Sequence, residues 1–134
     1  MNRIFLSIAS LLGALSVALG AFAAHRLKES FPPDAFSIFE TGIRYQFYHV
    51  FALFIVAILG EKIKHREIFW SGYCFIAGIL LFSGSLYALS EMKASDISGV
   101  SSIGILTPIG GVFFIAGWLL LLWGVLKKDG GHRK

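Results

Sequence analysis

Four apolar blocks, Ile4–Ala24, Phe47–Leu59, Ile68–Leu89 and Ile103–Leu126, take up most of this 134-residue chain. Their lengths constrain the fold more than any motif does. About 20 apolar residues cross a hydrocarbon core of about 30 Å, so the first, third and fourth blocks are spans on length alone. The second, apolar except for His49, reaches that length when its helix starts near Thr41 and carries Arg44, Tyr45 and Gln46 into the headgroup region, where Arg snorkels and Tyr is favoured. The fold class this predicts is all-α: a polytopic membrane protein with four transmembrane helices in a compact bundle, at about 4–24, 42–60, 68–89 and 105–126. Too little chain is left for a separate soluble domain, so 1–134 reads as a single membrane domain.

Hydrophobic residues make up 56% and charged residues 15% of the chain, against roughly 45–50% and 25% in an ordinary soluble domain. A net charge of +4 points to no nucleic-acid partner, because the Lys and Arg residues flank the spans and form no basic stripe with interleaved aromatics. They serve instead as an orientation signal. Arg3, Lys62, Lys64, Arg66, Lys127, Lys128, Arg133 and Lys134 fall on one side of a four-span topology, and only Arg26, Lys28, Arg44 and Lys93 on the other. The positive-inside rule then makes both termini cytoplasmic. Cys74, the single cysteine, lies inside the third span and allows no intramolecular disulfide. Asn2-Arg3, an apolar run and Ala21-Phe22-Ala23 imitate a cleavable signal peptide. The run exceeds the usual h-region of about 7–15 residues, and Gly13, Ser16 and Gly20 read as packing positions, so the first helix is expected to be retained.

Between the first two spans, Pro32-Pro33 stops one helix and starts another. Phe36, Phe39 and Ile43 then share one face, predicting a short interfacial helix between helices 1 and 2. The serine-rich 90–102 segment reads as a flexible loop, and Thr107-Pro108 as a sharp start to the fourth helix, with Thr as N-cap. Small residues recur at helical spacing: Gly13 and Gly20 with Ser16 and Ala24 in the first helix, and Gly110, Gly117 and Gly124 in the fourth. Such faces bring membrane helices together, either within the bundle or toward a homo-oligomeric or other membrane-protein partner.

The polar residues of the spans gather at the level opposite the termini. Gly42, Tyr45, Gln46 and His49 share one face of the second helix, and Ser83 and Tyr87 stand one above the other on the third. Polar side chains within a span turn to the bundle interior and bond there. The candidate polar pocket is therefore Gln46, His49, Ser83 and Tyr87, with His25 and Thr107. One reading is a hydrogen-bond network that fixes helix register; the other is a binding site. Gly110 and Gly111, with backbone N–H groups at a positive dipole end, form a candidate site for an anionic headgroup or a small anion. Two histidines near one level raise haem ligation, but no further haem signature accompanies them, and no Cys/His set has zinc spacing. The carboxylates Glu29, Asp34, Glu40, Glu91 and Asp96 lie in loops, which speaks against a proton-coupled antiporter. Ser83-Gly84-Ser85 sits in a helix and not on a strand–helix elbow. These residues supply no catalytic group, no metal site and no cofactor.

Gly20-Ala21-Phe22-Ala23-Ala24-His25, Tyr45-Gln46-Phe47-Tyr48-His49, Leu81-Phe82-Ser83-Gly84-Ser85-Leu86-Tyr87 and Thr107-Pro108-Ile109-Gly110-Gly111 resemble, in order, the marker segments of the domain of unknown function 423 family. Its members are small four-helix membrane proteins, with bacterial representatives and eukaryotic relatives named transmembrane protein 256-like. The resemblance covers nearly the whole chain and implies the same topology, membrane location and a retained first helix. It carries over no catalytic residue. The expectation is a non-enzymatic integral protein of the bacterial inner membrane whose outer-leaflet pocket organises the bundle and binds a lipid headgroup or a membrane partner. A small transporter or channel component and an intramembrane cofactor or redox protein are the alternatives.

Overall fold

The computed structural model describes residues 2–127 and contains no strand among them. Four helices are long and apolar enough to cross a membrane: α1 (Arg3–Ser30), α2 (Pro33–Lys62), α3 (Arg66–Ala94) and α4 (Ser102–Leu126). At about 1.5 Å per residue, each outreaches a hydrocarbon core of about 30 Å and enters a headgroup layer. Lys128, Arg133 and Lys134, which contribute to the charge asymmetry, lie outside the described residues.

Local chemistry sets the helix ends. The Asn2 side chain accepts from the N–H groups of Ile4 and Phe5 and caps α1. Phe31 and Pro32, each followed by proline, have extended backbones with ψ of 144° and 147°, because a following proline ring disfavours the α region. The chain therefore reverses within two residues, and Pro33 opens α2 with its fixed φ. On the same end, α3 continues to Ala94 and a turn over 95–99 joins it to α4, through positive φ at Asp96 (53°) and Gly99 (100°).

Two expectations are corrected here. No separate interfacial helix exists: Pro33–Lys62 is one helix of 30 residues. Beyond Pro33 no residue removes a backbone N–H, so nothing interrupts propagation. The apolar face of Phe36, Phe39 and Ile43 covers Leu19, Ala23 and Leu27 of α1 instead of lying on the membrane surface. Thr107 is not an N-cap either, since the serine-rich loop is shorter than expected and helical turns begin at Val100. Pro108 falls in the first turn after a break at Ile105, where its missing N–H costs little.

In sequence order α1 packs on α2, α2 on α3 and α3 on α4. Phe5, Leu53, Ile68 and Phe75 are fully buried at the centre. The Gly110, Gly117 and Gly124 stripe is spent on α3. A Cβ at Gly117 would lie 2.6 Å from the Phe75 ring and one at Gly124 2.7 Å from Ile68, while at Gly110 it would run into the backbone of Phe82. Lipid tails are as apolar as Leu, so such backbone-level contact holds membrane helices together. The first helix behaves differently: a Cβ at Gly13 would meet Val50 at an ordinary 3.5 Å, and one at Gly20 would meet nothing within 4 Å.

Gly110→Ala should therefore force α3 and α4 apart and lower stability by about 1–3 kcal/mol, whereas Gly84→Ala, with open space at its Cβ, should be near neutral. Thermal unfolding of both variants in one detergent measures the difference; equal midpoints would contradict the contact.

Candidate functional site

Three of the long helices meet at the side-chain amide of Gln46, which is 2% exposed. Its Nε2 donates to Ser16 Oγ (2.9 Å) and to the Leu12 carbonyl (3.2 Å) of α1, and its Oε1 accepts from the Tyr87 hydroxyl of α3 at 2.8 Å. Ser16 in turn donates to the Leu12 carbonyl. Every N–H of the amide is thus engaged, as a polar group buried from water requires.

Further contacts extend this pattern along the same helices. Ser83 donates to the Gly42 carbonyl at 2.7 Å and Ser90 to the Ala35 carbonyl at 2.6 Å, which ties α3 to α2 at two levels. Gly42 makes this approach feasible, since a Cβ there would fall 2.7 Å from the Tyr87 ring. Ser85 and Thr107 share a hydrogen bond of 2.6 Å between α3 and α4. Ile79–Ser83 forms a π turn where Phe82 meets Gly110, and such widened turns occur where a helix adjusts to its neighbours.

His49 belongs to a second, aromatic assembly. Its Nδ1 lies 2.7 Å from the Tyr45 carbonyl, which only accepts, so Nδ1 donates and Nε2 is the acceptor. Trp118 Nε1 donates to that Nε2 at 3.1 Å across to α4. The imidazole also stacks on Phe114, with centroids 3.5 Å apart and planes at 6°. Together with Tyr45, Tyr48 and Phe82 these groups line an open cleft of about 460 Å³ between α2 and α4.

Of the sequence-derived pocket, Gln46 and Tyr87 form one network, Ser83 lies beside it, His49 reaches Trp118 of α4, and Thr107 of α4 reaches Ser85 of α3. His25 is not with them: it sits exposed in the π turn Ala23–Leu27. Because His49 already uses both ring nitrogens and His25 is remote from its bonds, the pair offers no ready axial ligation. The anion site at Gly110 and Gly111 is also corrected. Both residues lie within α4 beyond its first turn, where their N–H groups belong to the helical ladder, and Gly110 is closed by Phe82. Residue patterning missed Ser16, which had read only as a small packing position, and Trp118, one aromatic among many.

A separate cavity of about 290 Å³ opens between α1 and α2 at the end opposite the termini. Gly20, Ala23, Ala24 and Lys28 line it from α1, and Phe36, Glu40, Ile43 and Arg44 from α2.

The family described as "Protein of unknown function (DUF423)" matches residues 19–111, a stretch that contains Gln46, His49, Ser83 and Tyr87. The chain belongs to that family. Family relatives include "UPF0382 membrane protein YwdK" of Bacillus subtilis (strain 168), 36% identical over 93% of this chain and 98% of the relative. A "UPF0382 membrane protein" of Haemophilus influenzae is 41% identical, covering 96% and 98%. "UPF0382 inner membrane protein YgdD" of Escherichia coli (strain K12) is 35% identical, covering 94% and 92%. No solved structure matches. Four apolar helices in a family of membrane proteins make this an integral membrane protein.

Tyr87→Phe should leave Gln46 Oε1 buried without its donor and cost about 1 kcal/mol. In a double-mutant cycle with Gln46→Leu the coupling should come to about 0.6–1.7 kcal/mol, the range of membrane interhelical bonds. Unfolding in mixed micelles reads both; an additive cycle would show that the two side chains do not act together.

Proposed function

We propose that the protein is a non-enzymatic component of the bacterial inner membrane, with both termini cytoplasmic, whose outer-leaflet end binds phospholipid headgroups. One observation carries this reading: the polar groups buried at the centre of the bundle are bonded within it, while three charged groups, Lys28, Glu40 and Arg44, line a cavity on the α1–α2 seam. Gln46, Ser16 and Tyr87 occupy each other, and His49 is held between Tyr45 and Trp118. Any chemistry at these groups would first have to break bonds that hold the helices in register. A transport pathway through His49 meets the same obstacle, and Phe75 and Phe114 pack against its ring.

The charged rim is available in a way that the core is not. Lys28, Glu40 and Arg44 are exposed and have no ion-pair partner among the described residues. Basic side chains near the interface attract lipid phosphate, and the inner positions of the same cavity are apolar. The orientation rests on the excess of Lys and Arg at the end that carries the termini.

Lipid extracted from the purified protein and analysed by mass spectrometry should differ in headgroup composition from the surrounding membrane; an identical composition would remove the lipid-binding reading. Reporter fusions after Lys134 and within 95–99 should report cytoplasmic and periplasmic positions respectively, and a periplasmic C-terminus would invert the topology.

A further inference from the structure

The charged cavity does not stand alone on its seam. A second cavity of about 230 Å³ lies on the same α1–α2 seam, lined by Gly13 and Val17 of α1 and by Phe47, Val50, Phe51 and Phe54 of α2, among others. The two share one stripe on each helix. On α1, Gly13, Val17, Gly20, Ala24 and Lys28 follow at steps of three or four residues, and on α2 so do Glu40, Ile43, Phe47, Phe51 and Phe54. Such steps keep residues on one helix face. From Arg44 to Phe54 the groove descends about 15 Å at the helical rise, which is one leaflet of a hydrocarbon core of about 30 Å.

We propose that this groove holds a single phospholipid whose headgroup carries a primary ammonium, its phosphate between Lys28 and Arg44, its ammonium on Glu40 and one acyl chain along the Gly20 and Gly13 wall. The inference rests on the lipid-binding reading and gives it a site and a lipid class. Two cations beside one carboxylate complement a phosphate beside an ammonium. Glu40 and Arg44, although four residues apart on one helix, form no salt bridge with each other, so the carboxylate keeps its acceptor positions. An ammonium supplies N–H donors to them, and charge-assisted bonds of this type are the strong ones; a quaternary choline has none. A headgroup without a cation would leave the carboxylate facing a phosphate. The floor suits a chain in turn: at Gly20 nothing lies within 4 Å of the position a Cβ would take, leaving room for methylene groups.

The full-length protein, stripped of lipid in detergent and placed in nanodiscs of equal parts palmitoyl-oleoyl phosphatidylethanolamine, phosphatidylcholine and phosphatidylglycerol, tests this by native mass spectrometry of the retained lipid. Phosphatidylethanolamine should be enriched about tenfold over each of the others, the ratio that one charge-assisted contact supplies. Glu40→Gln should erase its advantage over phosphatidylcholine. Lys28→Gln with Arg44→Gln should lower retention of all three. Gly20→Leu should block the groove while leaving the unfolding midpoint unchanged. Equal retention of ethanolamine and choline lipids, or an undiminished preference in Glu40→Gln, would overturn the proposal, as would full retention by Gly20→Leu. Enrichment of phosphatidylglycerol would overturn it while leaving the broader lipid-binding reading in place, and retention that merely mirrors the nanodisc mixture would overturn both.

Discussion

A buried amide inside a lipid-solvated bundle has no water to fall back on, so the arrangement of α1, α2 and α3 follows from the bonding needs of Gln46. Its two N–H groups find Ser16 and the Leu12 carbonyl, and its oxygen finds Tyr87. Sliding α1 along α2 by one residue, or turning α3 about its axis, would orphan at least one of these groups at a cost near 1–3 kcal/mol. The bonds themselves contribute little, averaging about 0.6 kcal/mol in membranes. Their effect is on specificity: alternative registers are excluded more than the native one is strengthened. Ser83 and Ser90, donating to α2 carbonyls about one and three turns away from this level, act in the same direction.

Packing strength lies elsewhere, and unevenly. Between α3 and α4 aromatic rings sit in glycine notches on both sides, Phe75 over Gly117 and Phe114 over Gly78. Between α1 and α2 no ring enters a glycine notch: a Cβ at Gly13 would meet Val50 at 3.5 Å and one at Gly20 would meet nothing within 4 Å. Phe47 and Phe51 meet each other edge to face at 5.1 Å along α2, so these rings lean on one another, and Gly20 is left beside a cavity. One seam is therefore closed by protein and the other is open to the solvent of the bundle, which is lipid.

The number of helices, their order and the level at which polarity collects were all legible in the sequence, because block length and charge placement are one-dimensional quantities. Gln46 and Tyr87 were also within reach, since helical phase puts each on an inward face. The partners were not. Ser16 and Trp118 lie on helices whose rotation about their own axes is decided by packing, and no spacing rule connects residue 16 to residue 46 or residue 49 to residue 118. The interfacial helix failed for a related reason. Phe36, Phe39 and Ile43 do form an apolar face, but periodicity cannot say whether such a face meets a membrane surface or the end of another helix. The π turns at Ala23–Leu27 and Ile79–Ser83 carry no punctuation at all, since neither contains a Gly or a Pro.

The glycines of α1 show how one pattern serves two physical ends. Read along the chain, Gly13 and Gly20 are indistinguishable from Gly110 and Gly117, with the same seven-residue interval. What separates them is the opposing wall. On α3 the facing side chains point across the interface and enter the notch; on α2 the facing phenylalanines pair along their own helix, and the Gln46 clamp fixes the register at which they do so. A small-residue stripe held at a set distance from a bulky wall cannot close by sliding, so its notch persists as volume. In water such a volume would be a defect to be collapsed or hydrated. In a bilayer it is bordered by mobile chains, and Lys28, Glu40 and Arg44 at its mouth are the charges by which the proposed lipid would be selected.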